Sequence, residues 1–541
     1  MNCLTLVFVS VILHYCLSPC FINALEYVTV STQEGDLRGQ IETTYTNNTM
    51  YSFKGIPYAE SPVGDLRFQP PVRKAAWTGV RDALQLGSPC AQSLFGEEDC
   101  LYLNVYSPIS PSQNEALKAV VVYIHGGCFT LGSGSLSLPH YFVDNDVLFI
   151  TINYRLGLLG FLSTGDEVVP GNMGLKDQVE ALRWVQRNIA AFGGDPERVT
   201  ILGQSAGGAS IHYHVLSPLS KGLFKNAIAM SGSALNPWAF SKNATDRAIR
   251  FANYLGYSGQ NSSDLVDFLK TVDGRTLAQD SDKALSEEDS LSLFTCVWAP
   301  SVEPDHEAAF LTEEPWRLVA EGRYNHVPYM SGVTDLELVA QIHGSFGTGS
   351  LATEEDISNL NANFEEIVGC DLRLPTREEQ LSGAHSVRLF YYNDSEITLQ
   401  DNYTTALFDS HLFFVEGVDA VVRSMARYSS EPVYYYEYTY NDGVLNQYPE
   451  GAGHGADLTN MFFSTSLDPT SYGAILRDQM TAMWANFAKY DNPTPELNSL
   501  LTEKWGTYNE SSPFYLELTA PLKPRMRLFE SYMNFWHSLL P

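Results

Sequence analysis

Two stretches of the chain, Lys118–Ile124 and Val147–Asn153, are apolar almost without interruption. Such runs, rich in β-branched and aromatic residues, predict central strands covered on both faces. Val199–Leu202, Phe224–Met230, Val327–Val333 and Tyr434–Tyr440 add further strands of similar character. Asp177–Phe192 places Val179, Leu182, Val185 and Ile189 at helical spacing, and Gly193-Gly194-Asp195-Pro196 ends it. Strand, helix and strand in this order predict a mostly parallel sheet with helices on both faces. Residues 25–85 read as short strands and turns beginning with Tyr27–Ser31. Ile56–Phe68 reads as a Pro- and Gly-rich surface loop, and Glu98–Tyr106 as an alternating strand. Residues 240–295 read as helices and loops, 350–430 as a polar, helical, cap-like insertion, and Ser531–Leu540 as a closing helix. No repeat, low-complexity linker or domain break interrupts the pattern.

One strand leads directly into chemistry. After Val199–Leu202 comes Gly203-Gln204-Ser205-Ala206-Gly207, and small residues then open a helix. This G-x-S-x-G in a strand–turn–helix context predicts a nucleophile elbow. Side chains flanking the serine would clash in so tight a turn, hence the glycines. The serine is left at a helix N-terminus, which favours negative charge.

A serine hydroxyl needs a histidine base and a carboxylate that orients it. In enzymes with this elbow the acid and then the histidine follow the serine along the chain. His454 fits, in the glycine-rich Gly451-Ala-Gly-His-Gly-Ala-Asp457 after the Tyr-rich strand; His343, His385 and His411 lack such a loop. Asp335 and Glu337, in Gly332-Val-Thr-Asp-Leu-Glu-Leu338, both follow a strand, and the pattern does not choose between them. His125-Gly126-Gly127-Cys128-Phe129 directly follows the Lys118–Ile124 strand. Its backbone N–H groups at Gly127 and Cys128, with that of Ala206, would form an oxyanion hole.

Composition narrows the partners. The 541 residues carry a formal charge of −30, which argues against nucleic acid and anionic membranes. Met1–Ala24 is uncharged, with an apolar Leu4–Leu17, and is expected to be a secretory signal peptide, leaving residues 25–541 as one domain. No later stretch is long and apolar enough to span a bilayer. A secreted, extracellular protein is expected. Five cysteines follow the leader, so at least one thiol is unpaired. Cys90 and Cys100 would close a small loop. A Cys296–Cys370 pairing is open to the chain, though nothing in the sequence supports it. Sequons at Asn47, Asn243, Asn261, Asn393, Asn402 and Asn509 suit the secretory route.

Taken together, the His125–Phe129, Glu98–Asn104, Asn153–Gly157 and Gly203–Gly207 segments and the His454 loop resemble the type-B carboxylesterase/cholinesterase family. The resemblance covers essentially the whole mature chain. Within the family the chain looks most like insect carboxylesterases of the juvenile hormone esterase kind, through Arg67-Phe68, Asp177-Gln178 and Gln204. The resemblance implies an α/β-hydrolase fold, with helical insertions forming a gorge over the site. It implies Glu337 as the acid, Ser231 as a serine supporting the triad, Trp238 and Phe129 as pocket residues, an Arg67–Glu98 ion pair and a Cys90–Cys100 disulfide. Three positions depart from the family pattern. Leu338 follows the acid where glycine is usual, and Cys128 stands in the oxyanion loop where glycine or alanine is usual. Neutral Gln204 replaces the common glutamate. The short Cys90–Cys100 loop also lacks the tryptophan of choline-binding members, which argues against choline esters.

The expected function is that of a secreted serine carboxylesterase acting on apolar esters such as juvenile hormone, odorant, pheromone or foreign esters. It needs no cofactor or metal. Its partner is a small-molecule ester, with no nucleic acid or membrane, and the chain is a monomer or weak homodimer. The alternative is a non-catalytic, cholinesterase-like adhesion or binding protein.

Overall fold

Alternate residues of one strand enter different cores. Val120, Val122 and Ile124 pack into the larger hydrophobic cluster, and Ala119, Val121 and Tyr123 into a second. The computed structural model that shows this describes residues 26–111, 115–343, 353–442, 448–462 and 467–540. The expected leader at 1–24 lies outside the described residues.

Thirteen strands form one sheet among the described residues. They are β1 Tyr27–Ser31, β2 Asp36–Thr43, β3 Thr49–Pro57, β4 Val80–Asp82, β5 Tyr102–Ser107, β6 Lys118–Ile124, β7 Leu148–Ile152, β8 Gly194–Gln204, β9 Asn226–Met230, β10 Tyr329–Thr334, β11 Val433–Tyr438, β12 Phe514–Leu518 and β13 Lys523–Met526. The order is β1-β2-β3-β5-β7-β6-β8-β9-β10-β11-β12-β13, with β4 beside β2. From β7 through β12 every neighbouring pair is parallel. The β1-β2-β3-β5-β7 flank and the β12–β13 pair are antiparallel.

Helices cover both faces, as the uninterrupted apolar runs require. On one side α1 (Met173–Asn188) and α2 (Ala206–Leu216) contribute Val179, Leu182, Val185, Ile211 and Val215 to the larger core. On the other, α9 (Tyr472–Tyr490) contributes Leu476, Met480, Met483, Trp484 and Phe487 to the second. Between them in sequence lie α3 (Ala244–Tyr254), α4 (Ser262–Thr271) and the insertion helices α5 (Glu354–Asp371), α6 (Arg377–Tyr392), α7 (Asn402–Ser410) and α8 (Glu416–Tyr428). Thr353 with Asp356 and Thr376 with Glu379 form capping boxes that start α5 and α6. The chain closes with α10 (Glu530–Leu539).

Two boundaries differ from the sequence pattern. Gly193, at φ +87°, ends the helix as its type suggests, but the next residues already belong to β8. The Glu98–Tyr106 strand begins only at Tyr102. Upstream the backbone turns, with Tyr102 N donating to Cys100 O at 2.7 Å, while Glu98 pairs with Arg67 and Cys100 is bridged to Cys90. No described helix is long and apolar enough to cross a membrane.

Buried acids lie in the insertion. Asp371 accepts hydrogen bonds from Ser292 Oγ at 2.6 Å and Leu293 N at 3.2 Å, and burial pushes its carboxyl up to about 7. Burial and then the charge of Asp371 push Asp409 up to about 8. Both raised values favour the neutral acid in the fold. The associated stability is present below the ordinary carboxylate range and is lost as pH rises through about 7 to 8. The melting temperature is therefore expected to fall from pH 5.5 to 8.5, and Asp409→Asn to flatten that fall. Calorimetry across the range checks this; a slope unchanged by Asp409→Asn contradicts it.

Candidate active site

The C-terminal ends of the parallel strands point to one edge of the sheet, where open α/β folds gather their chemistry. Ser205 sits there, between β8 and α2, with φ +61° and ψ −125°. A side chain at Gly203 would put its Cβ 2.4 Å from the Gly207 carbonyl carbon, and one at Gly207 would meet Ile124 O at 2.1 Å. The elbow thus forms only with glycine at both flanks. Ser205 N donates to Met230 O at 2.8 Å, which fixes the turn against β9.

Glu337 follows β10 and His454 follows β11. The Glu337 side chain is fully buried. Its Oε2 lies 2.6 Å from His454 Nδ1, and its Oε1 accepts from Ser231 Oγ at 2.6 Å and Thr334 N at 2.8 Å. Its carbonyl also accepts the His454 N–H at 2.9 Å. Asp335 turns away and accepts the Ala452 N–H at 2.7 Å, and burial pushes its carboxyl up to about 6. Of the two acids that the pattern left open, Glu337 meets the histidine and Asp335 holds its loop. Asp457 lies in the same loop, fully buried, and accepts from Tyr436 OH at 2.7 Å. Burial raises its carboxyl to about 6.

His454 Nε2 lies 3.1 Å from Gln204 Nε2. With the Nδ1 proton directed at Glu337, Nε2 carries a lone pair and the Gln204 amide donates to it. Ser205 Oγ makes no hydrogen bond to His454 in this arrangement. Gln204 therefore occupies the histidine nitrogen that faces away from Glu337, a contact that its place in G-x-S-x-G did not reveal.

The His125–Phe129 loop lies directly on the elbow. A Cβ at Gly126 would approach Ser205 Cβ at 2.9 Å. Gly127, Cys128 and Phe129 all have positive φ, at +108°, +54° and +56°. Among the described residues, the N–H groups of Gly127, Cys128 and Ala206 donate to no protein acceptor. The loop base is held from the Asn153–Gly157 segment. Tyr154 OH donates to His125 O at 2.9 Å, its ring stacks on His125 at 4.5 Å, and Gly157 N donates to Phe129 O at 2.7 Å. Burial lowers His125 to about 4, so its ring is neutral at physiological pH.

Aromatic rings cover the Trp238 side of the site. Trp238 donates from Nε1 to Phe413 O at 2.7 Å, and its ring lies 5.6 Å from Phe414, 6.1 Å from Phe294 and 6.5 Å from Phe129. Phe414 lies 4.5 Å from the His454 ring. Phe414 and Phe294 were not identified from sequence. Phe414 is delivered by a π-helical turn, His411–Val415, between α7 and α8. The signal for it was the four-residue apolar run Leu412–Val415 in a largely polar insertion.

Arg67 pairs with Glu98 through two hydrogen bonds of 2.5 and 2.7 Å, and Cys90 is bonded to Cys100. The Cys296–Cys370 pairing does not form. Cys296 is bonded instead to Cys128 in the oxyanion loop, and Cys370 is free. Cys296 Sγ is taken by Cys128, while Cys370 Sγ, near the end of α5, donates a hydrogen bond to Ile367 O at 2.9 Å. Asn47, Asn243, Asn261, Asn393 and Asn402 are exposed, and Asn509 is half-buried.

A family model described as "Carboxylesterase family" matches residues 26–536. Esterase FE4 of Myzus persicae is 35% identical over 506 residues, covering 88% of this chain and 87% of that protein. Venom carboxylesterase-6 of Apis mellifera is 32% identical over 551 residues, covering 94% of each chain. Juvenile hormone esterase of Tribolium castaneum is 33% identical over 524 residues, covering 90% of this chain and 86% of that protein.

Replacing the two neighbouring acids separates their parts. Glu337→Gln is expected to lower kcat on p-nitrophenyl acetate by on the order of 10² or more, as loss of an orienting carboxylate does. Asp335→Asn keeps an oxygen for Ala452 N and is expected to stay within about fivefold of wild type. Steady-state kinetics on the two variants decides, and equal losses contradict the assignment.

Proposed function

The chain belongs to the carboxylesterase family of carboxylic ester hydrolases, and on that basis we propose that it is a secreted serine esterase whose catalytic residues are Ser205, Glu337 and His454. The observation that carries this reading is the Glu337 Oε2 to His454 Nδ1 contact of 2.6 Å beside a serine on a glycine-flanked elbow. The leader spans residues 1–24, and residues 25–541 form the catalytic domain.

Substrate carbonyl enters beside Ser205, and His454 Nε2 turns from the Gln204 amide to the serine hydroxyl. Ser205 Oγ attacks as Nε2 takes its proton. Glu337 keeps the Nδ1 proton in place and stabilises the imidazolium. The N–H groups of Gly127, Cys128 and Ala206 hold the oxyanion, and the N-terminus of α2 adds favourable potential. His454 then protonates the departing alcohol. Water, activated by the same histidine, releases the acid and restores Ser205.

The substrates are apolar carboxylic esters. The rings of Phe129, Trp238, Phe294 and Phe414 favour an apolar group, and the uncharged Gln204 offers no anion to a cationic one. Juvenile hormone methyl ester, odorant or pheromone acetates and foreign esters all have this character. The similarity to the juvenile hormone esterase of Tribolium castaneum supports including the first among them.

Purified protein is expected to hydrolyse p-nitrophenyl acetate, and Ser205→Ala to lower kcat by on the order of 10³ or more. Wild-type activity no higher than the variant's would overturn the enzyme reading in favour of a binding protein. A kcat/KM panel of juvenile hormone, long-chain acetates and short aryl esters then ranks the substrates. Equal values across the panel defeat a dedicated hormone esterase.

A further inference from the structure

Cys128 has no hydrogen bond of its own among the described residues. Its covalent tie outside the loop is the disulfide to Cys296, 168 residues away, and its side chain also packs against the larger core. The backbone there is one that a side chain disfavours. Cys128 and Phe129 stand at φ +54° and +56°, in the left-handed region where Cβ crowds the backbone. Glycine adopts this region freely, but here two successive residues with side chains occupy it.

The other end of the bridge is well anchored. Cys296 is almost fully buried. Arg247 Nη1 donates to Val297 O at 2.8 Å, while Nη2 reaches Asp289 at 2.8 Å. Two residues before the cysteine, Phe294 packs on Trp238. The bridge therefore joins the turn carrying two candidate oxyanion donors to the braced aromatic cluster around Trp238.

We propose that Cys128–Cys296 is a positioning disulfide, which holds the oxyanion loop in its left-handed turn and makes the esterase sensitive to reduction. The inference rests on the esterase reading of Ser205. A dithiol reductant supplies two electrons and two protons. The Cys128–Cys296 S–S bond breaks to two thiols, and the reductant closes to its own cyclic disulfide. Cys128 is then free to leave the left-handed region and withdraw its N–H from the site. Among the described residues no neighbouring thiol replaces the bond. Cys90 and Cys100 are paired with each other, and Cys370 is half-buried with its thiol pushed well up by that burial, which disfavours its thiolate.

The test measures kcat and KM for p-nitrophenyl acetate, per serine titrated by a phosphonate ester, so unfolded protein does not count. Wild type is assayed before and after dithiothreitol, with peptide mapping to show which bridge is open. Once Cys128–Cys296 is reduced, kcat is expected to fall about tenfold or more, the scale of a displaced oxyanion donor, while KM changes by less than about threefold. Cys128→Ala with Cys296→Ala is expected to match reduced wild type. Cys128→Gly with Cys296→Ala is expected to recover about tenfold in kcat over the alanine pair, because glycine keeps the turn unaided, and to be insensitive to reductant. The proposal is overturned if mapped, reduced wild type keeps its kcat, or if the glycine and alanine pairs are equally active. It is also overturned if the glycine pair loses as much as wild type on reduction, which would assign the effect to Cys90–Cys100. If the alanine pair does not fold, reduced wild type and the glycine pair still decide. Untreated wild type no more active than Ser205→Ala sinks the esterase reading itself, and this inference with it.

Discussion

A fully buried carboxylate must be surrounded by donors, and the site is built around how Glu337 meets that requirement. Its two oxygens take hydrogen bonds from Ser231 after β9, Thr334 at the end of β10 and His454 after β11, and its carbonyl takes the His454 N–H. One side chain thus registers three strand ends against each other. Removing any donor would leave a charged oxygen under-satisfied in a dry interior, so the arrangement resists partial loosening.

Support for the rest of the site comes from residues that touch no reacting atom. Arg155 and Asp177 form a buried ion pair with two bonds of 2.7 and 2.8 Å, and Arg155 also reaches Gln69 O. Asn153 accepts from Ser133 and Gly134 and donates to Ser88 and Cys100 carbonyls, joining the segments around the oxyanion loop. Tyr154 and Gly157 hold that loop directly. The Asn153–Gly157 segment is therefore a bracket, which is why it accompanies the elbow in sequence although it performs no chemistry.

The central strands were legible because β6, β7, β10 and the Val199–Gln204 part of β8 are buried on both faces, which keeps their runs largely apolar. The elbow was legible because its geometry admits only glycine at positions 203 and 207. Asp335 and Glu337 were not separable by pattern. Both follow the same strand, and only the fold shows which turns toward β11 and which toward Ala452. The Cys128–Cys296 bridge and the approach of Phe294 and Phe414 were hidden for the same reason. They join segments far apart in sequence, and nothing local marks the residues that meet. Gln204 was recognised as a neutral substitution, but its contact with His454 depends on a loop 250 residues away.

That separation has a consequence for how the protein comes into being. The sheet is assembled largely in chain order from β8 to β12, so a chain growing from its N-terminus can add these strands one by one. Ser205 and the oxyanion loop are in hand early, but Glu337 awaits β10 and His454 awaits β11. Between residues 205 and 454 the growing polypeptide carries the serine without the histidine. On the proposed assignment, reactivity arrives only when the last third of the chain docks, and a half-built chain lacks it.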